Sequence, residues 1–111
     1  MSISTHVLDT MRGTPAAGLE VTLSRREPDG DWKPVGEAVT DADGQARELT
    51  EDDLEAGEYR LEFATRPYFE RSGLSAFYPQ VWVVFSLEDA TGHVHIPLLL
   101  SPFGYTTYKG T

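Results

Sequence analysis

No cysteine occurs in the chain. Disulfides, thiolate nucleophiles and zinc–thiolate centres are thereby excluded, and the composition suits a reducing compartment such as the cytoplasm. Basic residues are scarce: 9 Lys and Arg stand against 18 Asp and Glu, a formal net charge of −9. Such a field repels a polyanion, so no nucleic-acid partner is expected, and an anionic substrate would need a local basic group of its own. Long apolar runs are also missing. Val81 to Phe85 and Ile96 to Leu100, the longest, are far too short to span a bilayer, so no membrane partner is expected. Met1 to His6 shows no basic segment leading into an apolar one, so no secretory leader is expected. No Walker loop, dinucleotide fingerprint, nucleophile elbow or zinc-protease motif is present, and no motif calls for a cofactor.

What is present reads as strands. The 111 residues suit a single domain spanning 1–111, and hydrophobic and aromatic contents of 40% and 11% fit a folded globule. Leu19, Val21 and Leu23 alternate with polar neighbours, as do Tyr59, Leu61 and Phe63 with Arg60 and Glu62, the pattern of half-buried strands with one wet face. Val81 to Phe85, rich in β-branched and aromatic residues, reads as a more deeply buried strand. Turn signals at Gly13, Asp29-Gly30, Asp43-Gly44 and Gly57 punctuate the run, so the fold class is all-β, a sandwich or barrel. Two helical stretches are expected: a brief one opening at Thr50-Glu51-Asp52-Asp53, and one from Pro67 to Ser72, closed by Gly73. Asp41 and Asp43 beside Gly44 read as a tight turn rather than a calcium loop.

The chemistry-bearing segment is His93-Val94-His95-Ile96-Pro97-Leu98-Leu99-Leu100. If it is extended, Val94, Ile96, Leu98 and Leu100 form a core stripe, while His93, His95, Pro97 and Leu99 share the other face. Apolar surface exposed at Pro97 and Leu99 beside an imidazole points to a subunit interface or a cavity wall. Ser4-Thr5-His6-Val7-Leu8-Asp9 repeats the arrangement: Ile3 and Val7 face one way, His6 and Leu8 the other. Solvated strand histidines are the plain alternative, and a His-x-His zinc site lacks further ligands in a chain with three histidines and no cysteine.

Three segments together resemble the transthyretin-related 5-hydroxyisourate hydrolases. They are Thr5-His6-Val7-Leu8-Asp9-Thr10 with Arg12-Gly13 and Pro15-Ala16-Ala17-Gly18; His95-Ile96-Pro97-Leu98-Leu99-Leu100-Ser101-Pro102; and Tyr105-Thr106-Thr107-Tyr108-Lys109-Gly110-Thr111. Thr40 to Gly44, Tyr59-Arg60-Leu61 and Phe77-Tyr78-Pro79 fit between them, in order. The resemblance implies a transthyretin-like two-sheet β-sandwich of about eight strands with one short helix. It also implies a homotetramer, a dimer of dimers, with small-molecule sites in a central channel between subunits. Channel-lining positions fall on His6, Leu8, His95, Pro97 and Leu99. The implied activity opens the six-membered ring of 5-hydroxyisourate at a cyclic amide, one step of urate breakdown in purine catabolism.

Carried over residue by residue, the resemblance makes His6, His95 and Thr111 catalytic. It gives Gln45, Arg47, Tyr108, Lys109, Pro97 and Leu99 to substrate binding. Two positions depart from the family pattern. Arginine normally follows Asp-Gly, where this chain has Gln45; Arg47 lies two residues on and, in an extended chain, on the same side. The usual closing Arg-Gly-Ser is Lys109-Gly110-Thr111. The alternative reading is therefore a divergent transthyretin-like protein that opens another heterocycle or binds a small ligand in the channel.

Overall fold

The computed structural model describes residues 2–47, 49–50, 53–88 and 92–110. One sheet joins β1 (Ser2–Asp9), β2 (Thr14–Pro15), β5 (Gln45–Ala46), β8 (His93–Ser101) and β9 (Gly104–Thr107). The other runs β4 (Trp32–Val39), β3 (Glu20–Arg26), β6 (Gly57–Phe63), β7 (Val81–Leu87), every neighbouring pair antiparallel. The described residues form nine strand segments, two of which, β2 and β5, are only two residues each and pair side by side along the same edge of β1. The alternating positions read from the sequence form the core between the sheets: Ile3 and Val7, Val21 and Leu23, Tyr59, Leu61 and Phe63, and Val94 to Leu100 at every second residue.

β1 and β8 are parallel, in unbroken register from Ser2 opposite His93 to Asp9 opposite Leu100. Thr5 is a polar member of β1's inward face, and its hydroxyl donates to the Ile96 carbonyl at 2.6 Å, so it is buried without an unmet donor.

Four expectations are corrected. Val81 to Phe85 is not a deeply buried strand. β7 is an edge strand, and Trp82 and Val84 on its outer side are 49% and 54% exposed. Arg60, placed on a wet face by alternation, is 9% exposed. Its guanidinium carbon sits 3.9 Å from the Trp82 ring and 4.8 Å from the Trp32 ring and its group pairs with Glu62, so two indoles shield the charge they attract. The helix, α1 (Thr65–Glu70), begins two residues before Pro67. Proline is tolerated in a first turn because its missing N–H has no intrahelical acceptor there. Finally, Pro97 is buried and Leu99 half-buried within the single chain: β8 has β1 on one side, and the segment at Gly110 lies close against Pro97. As for the other expected helix, Thr50 and Asp53 are not helical, and Glu51 and Asp52 lie outside the described residues. No helix among the described residues is long and apolar enough to cross a membrane.

Asp9 ties the end of β1 to α1. One carboxylate oxygen accepts the amides of Met11 and Arg12, both at 3.1 Å, and the other accepts the Tyr68 hydroxyl at 2.8 Å. Burial, then the hydrogen bond to Asp9, pushes the Tyr68 phenol up to about 12. Asp9→Ala strands three donors and is expected to lower stability by about 2–3 kcal/mol, against about 1 kcal/mol for Tyr68→Phe. Urea unfolding of both variants checks the order, and equal losses would contradict this account of Asp9.

Candidate active site

His6 and His95 come from the two parallel strands. On β1 the inward residues are Ile3, Thr5 and Val7, so Ser4, His6 and Leu8 point outward; on β8 His93, His95, Pro97 and Leu99 do the same. The register sets Ser4 beside His95, His6 beside Pro97 and Leu8 beside Leu99. The two imidazoles are therefore near neighbours on one face, ring centroids 6.5 Å apart, both half-buried.

The turn before β5 holds His6. Its Nε2–H donates to the Asp43 carbonyl at 2.9 Å. A carbonyl only accepts, so neutral His6 carries its proton on Nε2 and its lone pair on Nδ1. The turn is the tight one read from the sequence. The Gly44 amide donates to the Asp41 carbonyl at 2.9 Å, and Asp41's carboxylate accepts the amides of Gln45 and Asp43. Those bonds, Gln45's foremost, hold the Asp41 carboxyl below its usual range. Gly44 has φ +77°, and a Cβ there would come 2.4 Å from the Val7 carbonyl oxygen, so only glycine lets the turn close on β1.

Gln45 pairs directly with His6 across β1 and β5. The Arg47 Nε–H donates to the Gln45 side-chain oxygen, which brings the guanidinium to the same flank. Arg47 itself is exposed. His95 sits below the ordinary histidine value: partial burial is the main cause, and the neighbouring His6 and His93 add to it.

The structure divides the C-terminal residues. Gly110 lies against His95: its amide donates to the His95 carbonyl at 2.8 Å, and a Cβ on it would fall 2.9 Å from both that oxygen and His95 Cδ2. Tyr108 and Lys109 instead line a cavity of about 390 Å³ with Val83, Phe85, Val94 and Ile96, between the sheets at the β7 and β9 edges. Val94 and Ile96 belong to the opposite face of β8 from His95, so within one chain Tyr108 and Lys109 are not gathered with the histidines. Thr111 lies outside the described residues.

Three contributors went unread in the sequence. Ser4, His93 and the Asp43 carbonyl all bond to, or toward, the histidine pair. The only trace of the first two was that Ser2 and Ser4 share the outward side of His6 as His93 shares that of His95; their contact depends on the pairing of the chain's two ends.

The face as built holds a half-buried, weakly basic imidazole, a second imidazole of defined tautomer, a carboxamide and one guanidinium. That set can activate water and bind carbonyl oxygens. Among the described residues no three His, Asp or Glu side chains converge as metal ligands.

The profile of the HIUase/Transthyretin family matches residues 3–110. The 5-hydroxyisourate hydrolase of Caulobacter vibrioides is 44% identical over 114 residues, covering 98% of this chain and 97% of that one. The structure of Klebsiella pneumoniae 5-hydroxyisourate hydrolase superposes with a TM-score of 0.89 at 34% identity over 100% of both chains. Sea bream transthyretin in complex with thyroxine superposes at 0.91 with 37% identity, over 99% of this chain and 95% of that one.

Gly110→Ala is expected to push the C-terminal segment off β8 without unfolding the sandwich. Amide exchange at position 110 should quicken by roughly tenfold, the worth of one hydrogen bond. Exchange unchanged from wild type would show that the segment is not anchored by that contact.

Proposed function

Because the chain belongs to the HIUase/Transthyretin family, we propose that it hydrolyses 5-hydroxyisourate, opening the cyclic amide as a step of urate catabolism. One observation carries this: His6 and His95 stand 6.5 Å apart on one outward face, with Gln45 and Arg47 on the same flank, in a chain similar along its whole length to 5-hydroxyisourate hydrolases. A carrier of small molecules has no use for two imidazoles there; a hydrolase needs a base.

In the proposed reaction His95, weakly basic and so neutral at physiological pH, takes a proton from water as the oxygen adds to the ring carbonyl. His6 orients that water. The guanidinium of Arg47 faces the developing oxyanion, in the place of the arginine that Gln45 replaces, and Gln45 adds a hydrogen bond. The histidine then returns the proton to the departing ring nitrogen. Pro97 and Leu99 form the wall beside the imidazoles, while Tyr108 and Lys109, which within one chain line the cavity between the sheets, take no part in this single-chain step.

The site lies on an open sheet face, so enclosing it takes a second subunit. A homotetramer built as a dimer of dimers supplies one across a central channel. The apolar side chains left uncovered on edge strands β7 and β9, among them Trp82, Val84 and Tyr105, suit such an assembly. A cytoplasmic location belongs to the same reading, since a cysteine-free chain is suited to a reducing compartment.

Generating 5-hydroxyisourate with urate oxidase and following its decay tests the activity; decay no faster with added protein would favour a ligand-binding role in the channel. His6→Ala and His95→Ala are each expected to slow turnover by at least about a hundredfold. The rate should fall on the acid side as His95 protonates, with a midpoint below the ordinary histidine value of about 6.5; a midpoint above it would remove His95 as the base. Arg47→Ala should lose about 2–4 kcal/mol of transition-state stabilisation, partly recovered by adding Gln45→Arg. An Arg47→Ala enzyme equal to wild type would dismiss the surrogate role.

A further inference from the structure

The outward face of β1 and β8 carries a hydrogen-bonded row beyond the two imidazoles. Ser4 Oγ lies 2.7 Å from His95 Nδ1 and 2.8 Å from His93 Nε2, and His93 Nδ1 lies 2.7 Å from Ser2 Oγ. Two of the contacts follow directly from register, Ser4 opposite His95 and Ser2 opposite His93, and the third, Ser4 to His93, is the diagonal between them. Ser4 is 4% exposed.

We propose that Ser4 and His93 are positioning residues for His95: the Ser4 oxygen accepts the Nδ1–H of His95 while its own O–H donates to Nε2 of His93. This rests on the hydrolase reading, because it assigns the nitrogen of His95 that takes the water's proton.

The reasoning is one of proton count. A hydroxyl has a single hydrogen, so Ser4, placed between two ring nitrogens, donates to one and accepts from the other. If it donated to His95, Nδ1 would hold the lone pair and Nε2 the hydrogen, leaving no base on the free side of the ring. If it accepts from His95, Nδ1–H is held and Nε2 is open; among the described residues Nε2 makes no hydrogen bond. The Ser4 hydrogen then goes to Nε2 of His93, whose Nδ1–H donates to Ser2, and every group in the row is satisfied.

Reaction strengthens that polarity. When Nε2 takes the proton and hydroxide adds to the carbonyl carbon, His95 becomes an imidazolium, and its Nδ1–H bond to Ser4 becomes charge-assisted. The bond tightens only as the transition state forms, so its loss should lower kcat and leave KM in place. Ser4 thus does for His95 what a carboxylate does in a Ser-His-Asp triad, holding tautomer and orientation, but with a neutral acceptor relayed to a second imidazole. A carboxylate at that spot would favour the charged imidazole before reaction; the hydroxyl does not.

The experiment combines nitrogen-15 NMR of the histidine rings with kinetics on wild type, Ser4→Ala, Ser4→Thr and His93→Ala. In wild type above neutral pH, His95 should show a protonated Nδ1 and an unprotonated Nε2. Ser4→Ala should abolish that preference and lower kcat by about tenfold, the worth of a hydrogen bond to a charged group, with KM within about twofold. Ser4→Thr keeps the hydroxyl and should restore both the tautomer and kcat. His93→Ala should lower kcat in the same sense by about threefold, because water then takes the Ser4 hydrogen at less than full occupancy. Neutral His95 carrying its hydrogen on Nε2 in wild type, or Ser4→Ala turning over like wild type, overturns the relay. The ring shifts need no substrate, so wild type inert toward 5-hydroxyisourate would sink the hydrolase reading while the tautomer still reports on Ser4. Loss of activity in His95→Ala with none in Ser4→Ala would sink the relay alone.

Discussion

The whole arrangement depends on the parallel pairing of β1 with β8. It joins the two ends of the chain, Ser2 to His93 at one extreme and Asp9 to Leu100 at the other. The inward faces of these strands supply Ile3, Val7, Val94, Ile96, Leu98 and Leu100 to the core, and their outward faces supply every imidazole in the chain. A slip of one residue would send histidines inward and leucines outward, so the apolar stripe that drives folding also fixes the register of the site. The outward face that carries the imidazoles is in this sense a by-product of core packing. Its cost falls on kinetics: contacts between residues some ninety positions apart close late and pay a large loop entropy first.

Period-two alternation made much of this legible. It separated His6, Leu8, His95, Pro97 and Leu99 from the core stripe, and the structure places all five on one outward face. It failed where exposure depends on neighbours rather than on facing. Pro97 points outward and is buried, with the C-terminal segment at Gly110 close against it; Arg60 points outward and is buried because two tryptophans from other strands close over it. Val81 to Phe85 failed in the opposite sense: its composition suits a central strand, but its place is an edge, and sheet order is a property of the whole chain. Ser4 and His93 were illegible for the same reason as Pro97. A serine beside a histidine in space leaves no mark when 91 residues separate them in sequence.

Electrostatics place the site against its background. The chain carries a net charge of −9, yet the outward face of β1 and β8 holds no carboxylate among its described residues: the row is serine, histidine, proline and leucine. Asp9 is the acid on β1, and it points inward to bind Tyr68 and two amides. A carboxylate on the outward row would pull the imidazoles toward their charged form and repel developing oxyanions. Keeping it off leaves His95 weakly basic through partial burial and the neighbouring imidazoles.

The backbone supports either catalysis or carriage, so the distinction rests on side chains of that one face. A pocket that only binds wants apolar walls and a few fixed donors. Two imidazoles 6.5 Å apart, one with its tautomer set by a backbone carbonyl and the other touched at Nδ1 by a serine, are more than binding requires. The chain holds the two imidazoles with contacts from three separate stretches: the serines of β1, the turn at Asp43, and Gly110 laid along β8. Such supports would be superfluous around a solvated histidine. They are what a base needs if its lone pair is to meet water at one nitrogen and not the other, and they place the demand for accuracy on strand register and glycine turns rather than on flexible loops.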